Sequence, residues 1–176
     1  WVYKESEKRM VKKQITYNPG LEHCVVELIV NATDRTQDPN NGVTKIDVSI
    51  TNDTIKIFND GISIPIEIHE KHGIYVPELI FGNMLSGGNF KKGVKRTVGG
   101  KNGIGAKAAN IFSTRFVVTV VNKGKKYIQI FEDQMKKKSK PKITKVKAKD
   151  SVTIEYTPAL RVFGMTTLNC NDTPLL

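Results

Sequence analysis

Cysteine is almost absent. Cys24 and Cys170 are the only 2 in 176 residues, they lie far apart, and neither has a cysteine or histidine at metal-ligand spacing. His23, His69 and His72 complete the histidine complement, so a zinc site and a disulfide framework are both excluded and two reduced thiols are expected. No apolar run approaches the roughly 18 residues of a membrane helix. The 14 glycines follow no period, which excludes a collagen-like chain. The opening Trp1-Val2-Tyr3-Lys4-Glu5 has no charged-then-apolar leader, so neither a secretory signal nor a membrane partner is expected. The sequons at Asn31, Asn52 and Asn171 then read as chance.

Acidic residues are also short: 17 Asp and Glu against 28 Lys and Arg, a net charge of +11. Such a balance favours a polyanionic partner. Lys136, Lys137, Lys138, Lys140, Lys142, Lys145, Lys147 and Lys149 crowd one stretch, and Lys91, Lys92, Lys95 and Arg96 form a second cluster. The stretch over 134–150 reads first as a solvated, lysine-rich connector between strands. Its alternative is phosphate-backbone contact, since lysines without interleaved aromatics neutralise charge but do not read bases. Hydrophobic residues at 39% and charged residues at 26% are ordinary for a globular chain, and the length suits a single domain over 1–176.

The periodicity predicts a helix from 19 to about 36, with Asn18 as N-cap, Pro19 in the first turn and Leu21, Val25, Leu28, Ile29 and Ala32 on one face. Ile46, Val48 and Ile50, then Ile55 and Ile57, alternate around Thr51-Asn52-Asp53 and predict a hairpin. Val76-Pro77-Glu78-Leu79-Ile80-Phe81 starts a short helix, and another runs from about 105 to 112. Phe116–Val121 and Tyr127–Phe131 predict a second hairpin, and Ser151–Tyr156 a further strand. This order is not a βαβ alternation. It predicts an α+β, two-layer sandwich: a mixed, mostly antiparallel sheet with helices on one face. The tail after Pro158 ends at Leu175-Leu176 and reads as a boundary inside a longer protein.

Three segments carry chemistry. Glu27, Asn31 and Asp34 stand at i, i+4 and i+7, so they share a helix face. They read either as a polar stripe in water, or as a general base with a carbonyl ligand for a hard cation such as magnesium. Asn59-Asp60-Gly61 ends a strand. It is a turn, or a place where a side-chain oxygen meets a ligand amine and Gly61 admits the ligand to the backbone. Gly99-Gly100-Lys101-Asn102-Gly103-Ile104-Gly105-Ala106-Lys107 runs into a helix, with the free amides and charge that a polyphosphate needs. It is not a Walker A loop, because no Gly-Lys-Ser/Thr closes it. The glycine-rich segment 86–105 cannot pack a core and is expected to be mobile.

Together these segments resemble the Bergerat (GHKL) ATP-binding fold of gyrase-like topoisomerases, heat-shock chaperones, histidine kinases and mismatch-repair ATPases. The stretches ITYNPGL, ELIVNATD, NDGISIPIEIHE, YVPELIFGNML and VGGKNGIGAKAANIFST resemble, in the same order, the ATPase domain of eukaryotic-type DNA topoisomerase II. The resemblance covers about Trp1 to Gly164. It implies ATP and Mg²⁺ as cofactors, Glu27 as the base that activates water, Asn31 as the magnesium ligand and Asp34 beside it on the same face. It implies Asn59 on the adenine amino group with Asp60 and Gly61 in support, and Gly87, Gly88 and Asn89 at the nucleotide. Gly100, Lys101, Asn102, Gly103, Ile104, Gly105, Ala106 and Lys107 would wrap the triphosphate, with 86–105 as the ATP lid.

Five departures from the family pattern bear on nucleotide affinity: Ser63 for a glycine, Gly87-Gly88 for two serines, Lys101 for arginine, Arg35 for asparagine, and a basic lid. The resemblance further implies an enzyme, an ATP-dependent type II topoisomerase acting on DNA as a homodimer in the nucleus, with viral and organellar sources open. An N-terminal arm and a transducer domain would lie outside the chain, so the fragment is expected to be monomeric, binding ATP but turning it over poorly. The alternatives are a basic nucleic-acid-binding module without ATPase activity and a chaperone-like Bergerat ATPase.

Overall fold

The computed structural model describes residues 1–14, 17–34, 42–83 and 104–168. A small hairpin opens the chain, with β1 (Val2–Lys4) antiparallel to β2 (Arg9–Val11). The helix α1 (Pro19–Asp34) follows. Its start is fixed by Asn18, whose Oδ1 accepts from the backbone N–H of Gly20 at 3.0 Å and Leu21 at 3.2 Å, satisfying two amides that have no helical partner. The Asn18 amide also donates to the carbonyl of Phe163 at 2.7 Å, so the cap ties the start of α1 to a segment 145 residues later.

The strands β3 (Ile46–Ile50) and β4 (Ile55–Asp60) form the first predicted hairpin, with Ile50 opposite Ile55. Two short helices come next, α2 (Val76–Gly82) and α3 (Gly105–Ile111). Then β5 (Ser113–Asn122) and β6 (Lys125–Glu132) form the second hairpin. Its two-residue turn places Lys123 at φ 47° and Gly124 at φ 74°, the pair of positive angles that matches the twist of the flanking strands. Last come β7 (Lys137–Lys138), β8 (Lys142–Lys145) and β9 (Ser151–Pro158).

The main sheet runs β3-β4-β9-β5-β6, with β7 and β8 both on the outer edge of β6. Where a mixed sheet was expected, every pairing among the described residues is antiparallel. The lysine-rich stretch 134–150 also differs from the expected connector, because it adds two strands to the sheet. They are separated at Ser139, whose N–H donates to Ile130 O at 2.8 Å and whose Oγ accepts from Ile130 N at 3.0 Å. Pro141 follows without an N–H of its own.

The helices cover one face. Leu21, Cys24, Val25, Leu28 and Ala32 of α1 meet Ile55 and Ile57 of β4, Phe116, Val118 and Val120 of β5, and Val152, Ile154 and Tyr156 of β9. Each such side chain, fully buried, contributes about 1.5–3 kcal/mol. Cys24 is a buried free thiol, and burial raises its pKa above the ordinary thiol range; Cys170 lies outside the described residues.

Candidate functional site

Helix α1 carries the polar face and lies against α3. They meet at Gly105: a Cβ built there would stand 1.8 Å from Oε2 of Glu27 and 2.5 Å from its Cδ. The carboxylate of Glu27 therefore sits directly on the backbone that closes the glycine-rich segment. His23, one turn earlier on α1, brings Nε2 to 3.5 Å from Oε1 of Glu27. The carboxylate is thus bracketed by an imidazole and a peptide backbone.

Asn31 stands one turn further. Its amide nitrogen donates to the Glu27 carbonyl at 2.6 Å, which commits the donor end and leaves Oδ1 as the acceptor. Asp34 ends α1 one turn beyond, half-buried. Among the described residues no cluster of three or more His, Cys, Asp and Glu side chains converges as a metal site. The donor set suits magnesium all the same, since that ion keeps several waters and is held by one or two protein oxygens together with substrate phosphates.

Asn59 is 4% exposed and points to the helix side of β4, as Ile55 and Ile57 do. Its Nδ2 donates to the backbone carbonyl of Asp60 at 2.9 Å. The Asp60 carboxylate points elsewhere. It accepts from Thr44 Oγ1 at 2.6 Å and from the backbone N–H of Thr44 and of Lys45, each at 2.8 Å. These bonds, the Thr44 hydroxyl first, hold it below the ordinary carboxylate range. Asp60 therefore supports Asn59 through its main chain, and its side chain clamps the segment entering β3. Gly61 has φ 94°, which a side chain would strain. Ser63, where a glycine was expected, is buried and donates to the Ser151 carbonyl at 2.8 Å, tying the loop after β4 to β9.

Ile104 precedes α3 and is partly exposed, while Ala106 is buried against the core. Lys107 is 1% exposed, and burial pushes its ammonium below the ordinary lysine range. Gly87, Gly88, Asn89, Gly100, Lys101, Asn102 and Gly103 lie outside the described residues.

Glu27, Asn31 and Gly105 are thus brought together, with Lys107 on the same short helix as Gly105. His23 was not singled out from the sequence; its only signal was the i, i+4 spacing to Glu27, which ordinary surface pairs share. Two clefts open elsewhere. One, about 740 Å³, lies on the outer sheet face among Lys45, Lys56, Asp60 and Lys149. The other, about 880 Å³, lies among Asp53, Thr114, Asp133 and Arg161.

A carboxylate thus lies against the glycine that opens a short helix, one turn from a carboxamide. Residues 16–154 match the profile of the histidine kinase-, DNA gyrase B-, and HSP90-like ATPases, and the chain belongs to that family. Within it, the chain is similar to the ATPase region of type II topoisomerases. It is 42% identical over 172 residues to DNA topoisomerase 2 of Arabidopsis thaliana, covering 96% of this chain and 12% of that protein. It is 43% identical over 178 residues to that of Saccharomyces cerevisiae, covering 98% and 12%. The crystal structure of the ATPase region of Saccharomyces cerevisiae topoisomerase II superposes with a TM-score of 0.91 at 41% identity, over 97% of this chain and 46% of that one. The fold expectation is borne out by that likeness. The chain spans about an eighth of the length of these curated relatives.

Proposed function

We propose that the chain is the ATP-binding and hydrolysing gate domain of a type II DNA topoisomerase, in which ATP-driven closure of a homodimer is coupled to passage of one DNA duplex through another. The observation that carries this reading is the Glu27 carboxylate on Gly105, one turn from Asn31. Glu27 accepts the proton of the water that attacks the γ-phosphate, a general-base contribution of about 10²–10⁴. Oδ1 of Asn31 would hold Mg²⁺. When bound, that ion neutralises charge on the phosphate oxygens. Asn59 receives the adenine amino group on the buried side of β4. The buried cation Lys107 faces less competition from water for an anionic phosphate than an exposed lysine would.

DNA and a second protomer are partners of the whole enzyme in this reading, and its location is nuclear. The 176-residue chain binds ATP as a monomer and turns it over slowly. Isothermal titration with a non-hydrolysable ATP analogue tests the reading: binding must require magnesium and be lost in Asn31→Ala. Binding that is indifferent to both would remove the nucleotide role and leave a basic nucleic-acid-binding module. A chaperone-like ATPase is disfavoured by the match to topoisomerase ATPase regions along nearly the whole chain.

A further inference from the structure

The register on the outer edge of β6 sets Lys125 directly opposite Lys145, Lys126 opposite Thr144 and Lys142 opposite Ile128. Like charges placed directly across a ladder destabilise it, and the nearest carboxylate at this end, Asp150, is taken up by Asn122 Nδ2 at 3.0 Å and the backbone N–H of Lys123 at 2.8 Å. No Asp or Glu occurs in 122–131 or in 134–149. Lys136 and Lys138 find Asp133 and Glu78. Among the described residues, Lys123, Lys125, Lys126, Lys140, Lys142, Lys145 and Lys147 make no ion pair.

Four of these lysines stand on β6 and β8, Lys125 and Lys145 toward one face of the edge and Lys126 and Lys142 toward the other, while Lys123, Lys140 and Lys147 flank the two strands. Lys123, Lys125, Lys140, Lys142, Lys145 and Lys147 are all exposed. Lys145, the last residue of β8, stands across from Lys125, and Lys147 follows two residues beyond the strand end, exposed. The one aromatic side chain on this stretch of edge, Tyr127, is fully buried.

We propose that this lysine comb along β6 and β8 binds the sugar–phosphate backbone of duplex DNA, without sequence preference. Lysine donors fit phosphate oxygens, and the absence of exposed aromatics removes base stacking and readout. A membrane surface would call for apolar anchors beside the charge, and Ile143, 37% exposed, is the large apolar side chain the edge exposes. The comb is separate from Glu27, Asn31 and Gly105, so it stands or falls apart from the nucleotide reading.

Fluorescence anisotropy with a duplex of about 30 base pairs, over a salt series, tests it on the 176-residue chain. The variant Lys125→Gln/Lys142→Gln/Lys145→Gln/Lys147→Gln should flatten the slope of log affinity against log salt by about 3–4. Between about 50 and 200 mM salt, the wild type then loses about 100-fold more affinity than the variant. Nucleotide binding, measured alongside, should stay unchanged. An unaltered slope overturns the proposal. So does an equal change in Lys8→Gln/Lys12→Gln/Lys13→Gln/Lys71→Gln, which would make the effect one of diffuse charge, and so does tighter binding to phosphatidylserine vesicles than to the duplex. If the first variant fails to fold, amine-modification footprinting of the wild type replaces it: duplex must shield these four lysines, and equal labelling with and without DNA overturns the assignment.

Discussion

Gly105 has no side chain because Glu27 occupies the space where one would stand. Gly105→Ala meets the far end of a flexible side chain, so the fold should survive while the carboxylate is displaced. Turnover is expected to fall about 10²-fold, the usual scale for an ångström of misplacement, with an unchanged circular dichroism spectrum. Glu27→Gln removes the base itself. It should cost about 10²–10⁴ in single-turnover hydrolysis while leaving analogue affinity intact. Asp60 behaves differently. Folding lowers its pKa, so its contribution is complete above about pH 4 and is lost as the pH falls through the folded value. Asp60→Asn should melt earlier than wild type at neutral pH, and thermal melts in a pH series should converge as the acid range is entered. The spacing of Glu27, Asn31 and Asp34 made this face legible from the sequence alone. The partners of the Asp60 carboxylate were not legible, because a side chain beside Asn59 on a strand points to the opposite face and Thr44 and Lys45 lie fifteen or so residues away.

Among the elements, α2 is held by two specific contacts. Its Glu78, 8% exposed, pairs with Lys138 of β7 at 2.8 Å, and Gly82 lies over the ring of Phe131, where a Cβ would approach Cε1 to 2.7 Å and Cζ to 2.9 Å. Phe131 is buried and has no room to yield, so Gly82→Ala is expected to destabilise by about 1–3 kcal/mol in urea unfolding. Both long hairpins and α1 could be read from apolar periodicity, α2 from the proline in its first turn and α3 from the end of the glycine-rich segment, and their bounds moved by only a few residues. The strands β7 and β8 could not. A strand is recognised by alternation, and a run in which nearly every polar position is lysine, interrupted by proline, has none; only the partner strand β6 supplies the pattern. The hairpin β1–β2 escaped for a similar reason, being two strands of three residues each.

At the scale of the whole molecule, one layer of helices on one antiparallel sheet leaves two sheet edges, and they are finished differently. The β3 edge is short, and Asp47 of this strand pairs with Lys45 beside it at 2.8 Å. The other edge is broken between β7 and β8 and crowded with unpaired positive charge. The proposed monomeric state predicts a single species of the chain's own mass in sedimentation velocity, with or without nucleotide. The broken edge has a practical corollary for handling the protein. A strand rim that repels its own copy resists fibril-like stacking only while that repulsion reaches across the gap. Concentrated stocks should therefore stay clear in dilute buffer and turn turbid as ionic strength climbs, the reverse of ordinary salting-in.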